Sequence, residues 1–189
     1  MASLPRPLSA TVDLASGPLA IRPASAADVA AIAELVRRHA RIGNVLPRGE
    51  DNIRETLADW VVAERDGGVV ACGSLWVYGP HLAEVRSLIV SEAAQGDGIG
   101  GRIVTALEAE ARRRGIDKLF TLTRAVGFFE RQAFTITDKE RFPEKVWKDC
   151  QLCPLKDDCD ETAMIRPLGT AALGDPPPGT DSAAGRARP

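Results

Sequence analysis

The spacing of apolar residues in the first quarter of the chain predicts a strand followed by two helices. Residues 19–22 form a short apolar run typical of a strand. Apolar residues at positions 29, 32, 33, 35 and 36 recur at helical spacing. Ser25 and Asp28 just before them have the spacing of a capping box, with Asp in place of the usual Glu, so a helix should begin there. A loop at 41–48 and a short helix at 50–57 follow.

The rest of the chain predicts strands alternating with helices. Residues 60–63 and 69–77 should form a hairpin around Asp66, Gly67 and Gly68. A strand at 84–90, a glycine-rich loop, a helix that ends at Gly115 and a strand at 119–123 come next. A short helix at 126–131 and strands at 134–137 and 163–168 complete the order. This pattern predicts an α/β fold: one layered domain with a mixed, mostly antiparallel sheet flanked by helices.

Composition limits the size and setting of this domain. The chain has 189 residues, of which 44% are hydrophobic, enough for one packed core. Residues 1–17 and 170–189 have little to bury, so we expect disordered tails on either side of a domain at 18–169. A net charge of −2 gives no reason to expect nucleic acid or a membrane surface as partner. The N-terminus has no signal-peptide stretch and the cysteines do not suggest a secreted scaffold, so we expect a cytoplasmic protein.

The loop between the strand at 84–90 and the next helix carries four glycines, Gly96, Gly98, Gly100 and Gly101. The first amides of a helix have no partners within the helix, and the helix dipole adds positive charge there. Glycines let the backbone approach a phosphate closely. No Lys follows as in a nucleotide P-loop, and the acidic partner of a dinucleotide fingerprint is missing. The loop is therefore either a phosphate site of another kind or a tight turn without a ligand.

The spacing Gln95-x-x-Gly98-x-Gly100 resembles the acetyl-CoA loop of the GNAT superfamily of N-acetyltransferases. The segments EVRSLIV, LFTLTRAVGFFERQAF and FPEKVWKDCQLCPLKDDCDETAM are similar to the short bacterial N-acetylglutamate synthases. This resemblance covers residues 19–168 and implies an acyltransferase that moves acetyl from acetyl-CoA to the α-amine of L-glutamate, the first step of arginine biosynthesis. Ala133 departs from the glycine of that family. With no amino-acid kinase domain, we expect the arginine feedback site of the longer enzymes to be missing.

The resemblance also assigns the coenzyme contacts. Backbone amides of the loop would hold the pyrophosphate, and the strand before it would pair with the pantetheine like an added strand. The side chains of that strand would serve the core at the same time. The expected contacts are Leu88, Ile89, Val90, Gln95, Gly96, Asp97, Gly98, Ile99, Gly100, Gly101 and Phe129.

Acetyl transfer to an amine needs a group that takes the proton of the ammonium. Glu84, just ahead of the loop, is the best carboxylate, although an ion pair with Arg86 would also explain it. Many GNAT enzymes place a tyrosine on the short helix to protonate the thiolate, where this chain has phenylalanines. Tyr78, the only tyrosine, is the second catalytic candidate, unless a thiolate with a pKa of about 8.5 leaves unaided. A main-chain amide near Ile89 would polarise the carbonyl.

A glutamate acceptor carries two carboxylates, and arginine binds a carboxylate through two parallel hydrogen bonds. The candidates are Arg48, Arg86, Arg124 and Lys145. Each of them is otherwise an ordinary solvated charge. Arg86 and Arg124 differ from the others because they lie in, or at the end of, apolar strands.

Cys150, Cys153 and Cys159 have the spacing of part of a zinc knuckle, but a structural zinc takes four ligands. Structural zinc and reduced or redox-active thiols both remain open. Two other functions also remain open: acetylation of another acceptor such as glutamine or a polyamine, and a non-catalytic acetyl-CoA-binding regulator. The expected partners are acetyl-CoA and L-glutamate, and a homodimer is left open.

Overall fold

The computed structural model describes residues 17–143, 150, 153 and 158–169, and the elements in this part follow the predicted order. The expected tails at 1–16 and 170–189, and the candidate Lys145, lie outside the described residues. In the part described, no helix has the length and apolar character needed to cross a bilayer. The elements are β1 (Leu19–Pro23), α1 (Val29–Arg41), α2 (Glu50–Glu55), β2 (Trp60–Arg65), β3 (Gly68–Gly79), β4 (Leu82–Val90), α3 (Ile99–Arg113), β5 (Lys118–Thr123), α4 (Val126–Arg131), β6 (Thr135–Ile136) and β7 (Thr162–Pro167).

The strands form one seven-stranded sheet in the order β1-β2-β3-β4-β5-β7-β6. Every neighbouring pair is antiparallel except β4 and β5, which run parallel. The sheet is therefore mixed and mostly antiparallel, as the sequence predicts. Its one parallel pair follows from α3, because a crossover helix returns the chain to the end of the sheet where β4 began.

Each face of the sheet buries its own apolar cluster. On one face, α3 packs through Ile103 and Leu107 against Val61, Leu75 and Val85. On the other face, α1 and α2 pack against β2 and β3, with a core of Val29, Ile32, Leu35, Val36, Ile53, Trp60, Val62, Cys72 and Ile89. The helical spacing read from positions 29–36 is thus the buried stripe of α1.

The predicted capping box forms at the start of α1. The backbone amide of Ser25 donates to Asp28 Oδ2 at 2.7 Å, and a short 3-10 turn leads into the helix. Arg22 on β1 adds two parallel hydrogen bonds to the same carboxylate at 2.7 and 2.8 Å. This contact holds the pKa of Asp28 well below its usual range and ties β1 to the helix that follows it.

The central strand β4 changes its pairing halfway along. Its parallel pairing with β5 covers Leu82 to Glu84 only, whereas its pairing with β3 continues to Val90. A β-bulge interrupts the second pairing, and Ser87 there has φ of 50°. The bulge shifts the alternation of side chains, so that Val85 lies in the α3 cluster but Ile89 in the α1 cluster. Beyond Glu84, β4 and β5 separate.

Several predicted boundaries were wrong by one or two residues, among them the starts or ends of β2, β3 and β4. The helix expected at 50–57 ends at Glu55 and continues as a 3-10 turn, because Thr56 bonds back to Asn52 and its hydroxyl receives the Trp60 indole N–H at 3.1 Å. β6 is only two residues long, at the outer edge of the sheet. α3 ends at Arg113, two residues before Gly115, which has φ of 75°.

Candidate active site

A cavity of about 530 Å³ opens where β4 and β5 separate. Residues 84–88 of β4, and residues 121–123 of β5 with Arg124 just after it, form two of its walls. The loop between α1 and α2, from Gly43 to Arg48, lies across it, and Phe129 of α4 contributes to the lining. The site therefore depends on a topological feature, the ending of a parallel pair, as well as on the identity of its side chains.

Glu84 lies at the apex of this opening. It is the last β4 residue paired with β5, opposite Phe120, and it is 2% exposed. The Tyr78 hydroxyl donates to Glu84 Oε2 at 3.2 Å, and the tyrosine ring packs against Phe120 with centroids 5.5 Å apart. The two residues singled out for proton chemistry are thus in direct contact, although six positions separate them in the chain.

Cations outnumber carboxylates on the cavity wall. Among the described residues, the lining side chains of positive charge are Arg41, Arg48, Arg86, Arg124 and Lys139. The lining carboxylates are Glu84 and Glu161. The structure thus brings three of the four predicted acceptor residues together, the fourth being Lys145. Such a wall favours an anionic guest and disfavours a polyamine.

Two of these arginines join elements across the cavity. Arg48 Nε donates to Ser87 Oγ at 3.3 Å, which connects the α1–α2 loop to the β4 bulge. Arg124 at the end of β5 bonds Asp160 at 2.7 Å and the carbonyl of Gly43 at 2.6 Å. The Arg124 guanidinium lowers the pKa of Asp160, and Asp160 in turn raises the pKa of Arg124. Arg124 therefore has a bracing role whatever else it binds.

Arg86 is the most buried cation of the wall, at 6% exposure. Its guanidinium carbon lies 4.1 Å from the ring centroid of Trp76 on the adjacent strand β3. An aromatic face stabilises a desolvated guanidinium through the ring quadrupole. The indole thus compensates in part for keeping this positive charge inside the protein.

The glycine loop follows β4 directly, and two of its glycines are required by backbone conformation. Gly96 has φ of 92°, and Gly98, the N-cap of α3, has φ of 72°. A Cβ at either position would meet no atom of the described residues within 4 Å. Both glycines therefore allow the backbone to turn from β4 into α3. They also leave space for a ligand to reach the first amides of α3, where an anion is bound most favourably.

The other two glycines are required by packing. A Cβ at Gly100 would lie 3.1 Å from the Phe128 ring, and one at Gly101 would lie 3.2 Å from Gln132. They allow α4 to pack closely against the start of α3. Ile99 is 1% exposed and belongs to the core, so only its backbone faces the expected ligand. The Gln95 side chain donates to the carbonyl of Val90 at 3.1 Å and joins the loop to β4.

Asp97, between the two conformational glycines, forms a salt bridge with Arg65 at the end of β2, at 2.8 Å. Sequence reasoning did not single out Arg65, because the two residues lie 32 positions apart. It also missed Arg41, Lys139 and Trp76, which lie close to the site only once the chain has folded. Of these, only Arg41 could have been found from the sequence, because it is the last residue of a helix that leads into the loop lining the cavity.

The cysteine cluster, for which structural zinc was left open, lies only partly within the described residues. Within residues 17–143, 150, 153 and 158–169, no three His, Cys, Asp or Glu side chains come close enough to hold a metal ion. Cys159 instead receives a hydrogen bond on Sγ from the Lys139 ammonium at 3.2 Å, a cation that would oppose a metal there. Cys150, Cys153 and Cys159 all line the cavity. Cys72 lies in the core, and burial raises the pKa of its thiol to about 12.

Comparison with known proteins agrees with this geometry. A model of the acetyltransferase (GNAT) family matches residues 32–134. An uncharacterized N-acetyltransferase of Chlorobaculum tepidum is 39% identical over 148 residues, which cover 78% of this chain and 96% of that protein. The amino-acid acetyltransferase of Mycobacterium tuberculosis is 37% identical over 119 residues, or 61% of this chain and 67% of the relative.

A similar fold occurs in N-acetylglutamate synthase from Neisseria gonorrhoeae, solved in complex with coenzyme A and N-acetyl-glutamate. The TM-score is 0.72 and the identity 27%, over 80% of this chain. The chain spans only 35% of that longer protein. The family match covers the strand, glycine loop and helix that frame the cavity. The chain therefore belongs to the acetyltransferase (GNAT) family.

Proposed function

We propose that the protein transfers acetyl from acetyl-CoA to the α-amine of L-glutamate. The observation that carries this proposal is the cation-rich cavity beside Glu84, where β4 and β5 separate. An acceptor with two carboxylates fits such a wall better than a neutral or cationic amine does. The relatives described as amino-acid acetyltransferases support the same class of acceptor.

The coenzyme would bind along β4 and the glycine loop. The first amides of α3 would receive the pyrophosphate, since a helix N-terminus supplies donors and positive potential together. The edge of β4 from Leu88 to Val90 would pair with the pantetheine, because β5 has left that edge. Leu88, Ile89 and Val90 would contribute backbone, while their side chains pack in the two clusters.

Proton transfer would fall to Glu84. The ammonium of an amino acid must lose a proton before its nitrogen can attack the acetyl carbonyl. Glu84 would accept that proton, directly or through water, and the Tyr78 hydroxyl would fix its orientation. A main-chain amide near Ile89 would polarise the carbonyl oxygen. The thiolate, with a solution pKa of about 8.5, leaves without needing a strong acid.

Substrate choice would come from the arginines. Arg86 is buried against Trp76, so its guanidinium is held in place before the acceptor arrives. Arg48 and Arg124 lie on the facing walls and bring a second and a third cation. Two carboxylates on separate cations would fix which end of glutamate presents its amine.

The test is product formation from purified protein and acetyl-CoA with single acceptors: glutamate, glutamine, aspartate and putrescine. The N-acetyl product is measured by mass spectrometry, since the exposed Cys159 would itself react with thiol reagents. We expect the largest kcat/KM for glutamate and none for putrescine. Equal rates with glutamine would mean that the side-chain carboxylate is not recognised. No acceptor-dependent product would refute the proposal and favour a coenzyme-binding regulator.

A further inference from the structure

The glycine loop contains a carboxylate where an anion is expected to bind. Asp97 lies between Gly96 and Gly98, one residue before the N-cap of α3. Like charges destabilise each other, so an uncompensated carboxylate there would oppose the pyrophosphate. Asp97 is also 47% exposed, so the fold itself does not require it for packing. Its presence calls for a compensating group.

Arg65 supplies that group from inside the fold. Arg65 NH1 lies 2.8 Å from Asp97 Oδ2, and the arginine side chain is only 14% exposed. Arg65 is the last residue of β2 and alternates with Val61 and Ala63, both of which face α3. Its guanidinium therefore approaches the loop from beneath the start of that helix. The sheet fixes Arg65, the less exposed of the two residues, and Arg65 in turn holds Asp97.

We infer that Arg65 is a positioning residue for the coenzyme, because it neutralises Asp97 so that the start of α3 presents no net negative charge to the pyrophosphate. The inference rests on the assignment of this loop to acetyl-CoA in the proposed function. It adds a residue outside the loop, from a strand that has no other part in the site.

A double-mutant cycle separates charge neutralisation from simple tethering. The variants are Arg65→Gln, which keeps part of the packed stem, Asp97→Asn, and both together. Coenzyme A affinity is measured by calorimetry at low and at high salt. Arg65→Gln leaves a bare carboxylate at the loop, so we expect binding about three- to tenfold weaker at low salt, with a smaller loss at high salt.

Asp97→Asn removes the repelling charge and leaves Arg65, so the affinity should be equal to or tighter than that of the original protein. The double variant should bind within about threefold of the original protein, since it has neither charge. If the pair only tethers the loop, all three variants weaken binding alike. A double variant as weak as Arg65→Gln would overturn the inference.

Two controls fix the interpretation. Arg113→Ala breaks a comparable pair with Glu110 at the other end of α3 and should leave coenzyme affinity unchanged. Gly98→Val should block the loop itself. Lost binding in Gly98→Val with normal binding in Arg65→Gln would overturn this inference alone. Normal binding in Gly98→Val would overturn the loop assignment and this inference with it. Melting temperatures measured for every variant confirm that each one folds.

Discussion

Tyr78 donates a hydrogen bond to Glu84 at 3.2 Å, at the point where the parallel pairing of β4 and β5 ends. The hydroxyl comes from the far end of β3 and the carboxylate from the first half of β4. The Glu84 carboxylate is 2% exposed, and its Oε2 accepts this bond inside the protein. This contact makes the roles of the two residues separable by experiment.

Glu84→Gln should lower kcat about 10²- to 10⁴-fold with little change in coenzyme affinity, because it removes the proton acceptor and keeps the shape. Tyr78→Phe should lower kcat only about two- to tenfold, the loss of one orienting hydrogen bond. Steady-state kinetics at saturating acetyl-CoA measure both. An unchanged kcat in Glu84→Gln would mean that another group takes the proton from the acceptor amine.

Arg124→Ala should raise the glutamate KM about tenfold, since a cation on the cavity wall is lost. Acetyl-CoA KM should change little. Arg124 also bonds Asp160 and Gly43, so the variant should melt at a lower temperature as well. Asp160→Asn is the matched control: it weakens the brace and keeps the cation. A glutamate KM that responds equally to both variants means that Arg124 acts only by bracing the loop.

Gly98→Val should abolish measurable acetyl-CoA binding, because a β-branched residue resists φ of 72° and crowds the first amides of α3. Gly115→Val is the control at the other end of α3, where φ is 75°. Both variants should lose similar stability, but only Gly98→Val should lose the coenzyme. Calorimetry and thermal melting report the two properties. Intact binding in a folded Gly98→Val protein would contradict this placement of the pyrophosphate.

Ala133→Gly should stabilise the protein by about 0.5–1 kcal/mol. Ala133 has φ of 60°, a left-handed conformation that costs an alanine about 1–2 kcal/mol, and glycine relieves it at some loss of chain entropy. Ala106→Gly, the same substitution in the middle of α3, should instead destabilise by about 1 kcal/mol. Chemical denaturation measures both free energies of unfolding. A destabilised Ala133→Gly would mean that the alanine methyl contributes more by packing than its backbone loses.

Asp28→Asn should destabilise the protein by about 1–3 kcal/mol at pH 7, because it breaks charge-assisted bonds to Arg22. The pKa of Asp28 is lowered by folding, so its contribution is complete above its unfolded pKa of about 3.9 and is lost as the pH falls through the folded value. The difference between the two proteins should therefore shrink at pH 3. Glu34→Gln, which removes an exposed helical ion pair, should have a much smaller effect. A difference that is constant with pH would exclude the ion pair as its source.

Local patterns predicted most of the fold because they act within a few residues. The stripe at positions 29–36 became the buried face of α1, and the Ser25–Asp28 box formed as read. Ala133, which stands where the resemblance predicts a glycine, has φ of 60°. The end of α2 shifted because of a side-chain contact that the apolar pattern does not show: the Trp60 indole donates to the Thr56 hydroxyl, four positions away.

The site was harder to predict because its contacts join residues far apart in sequence. Arg65 meets Asp97, and Arg124 meets Asp160, only after the sheet has assembled. No spacing rule links such pairs. The spacing of the three clustered cysteines left zinc and thiol chemistry both open, and only the fold shows that the Lys139 ammonium lies 3.2 Å from Cys159 Sγ. Spacing is informative about local backbone, as in the glycine loop, where Gly96 and Gly98 have positive φ, whereas the convergence of side chains depends on the whole fold.

Under the proposed function, the early end of the β4–β5 pairing would also make the stability of the protein depend on its supply of coenzyme. Beyond Glu84, one edge of β4 faces the cavity with backbone groups that β5 does not engage. A ligand that pairs with this edge binds only the folded chain, and so adds about 2.7 kcal/mol of stability at a hundred times its Kd. Amides along that edge should exchange quickly with deuterium in the free protein and slowly in the complex. In a cell, starvation for coenzyme would then shorten the life of the protein itself, a control on its abundance that needs no separate regulatory site.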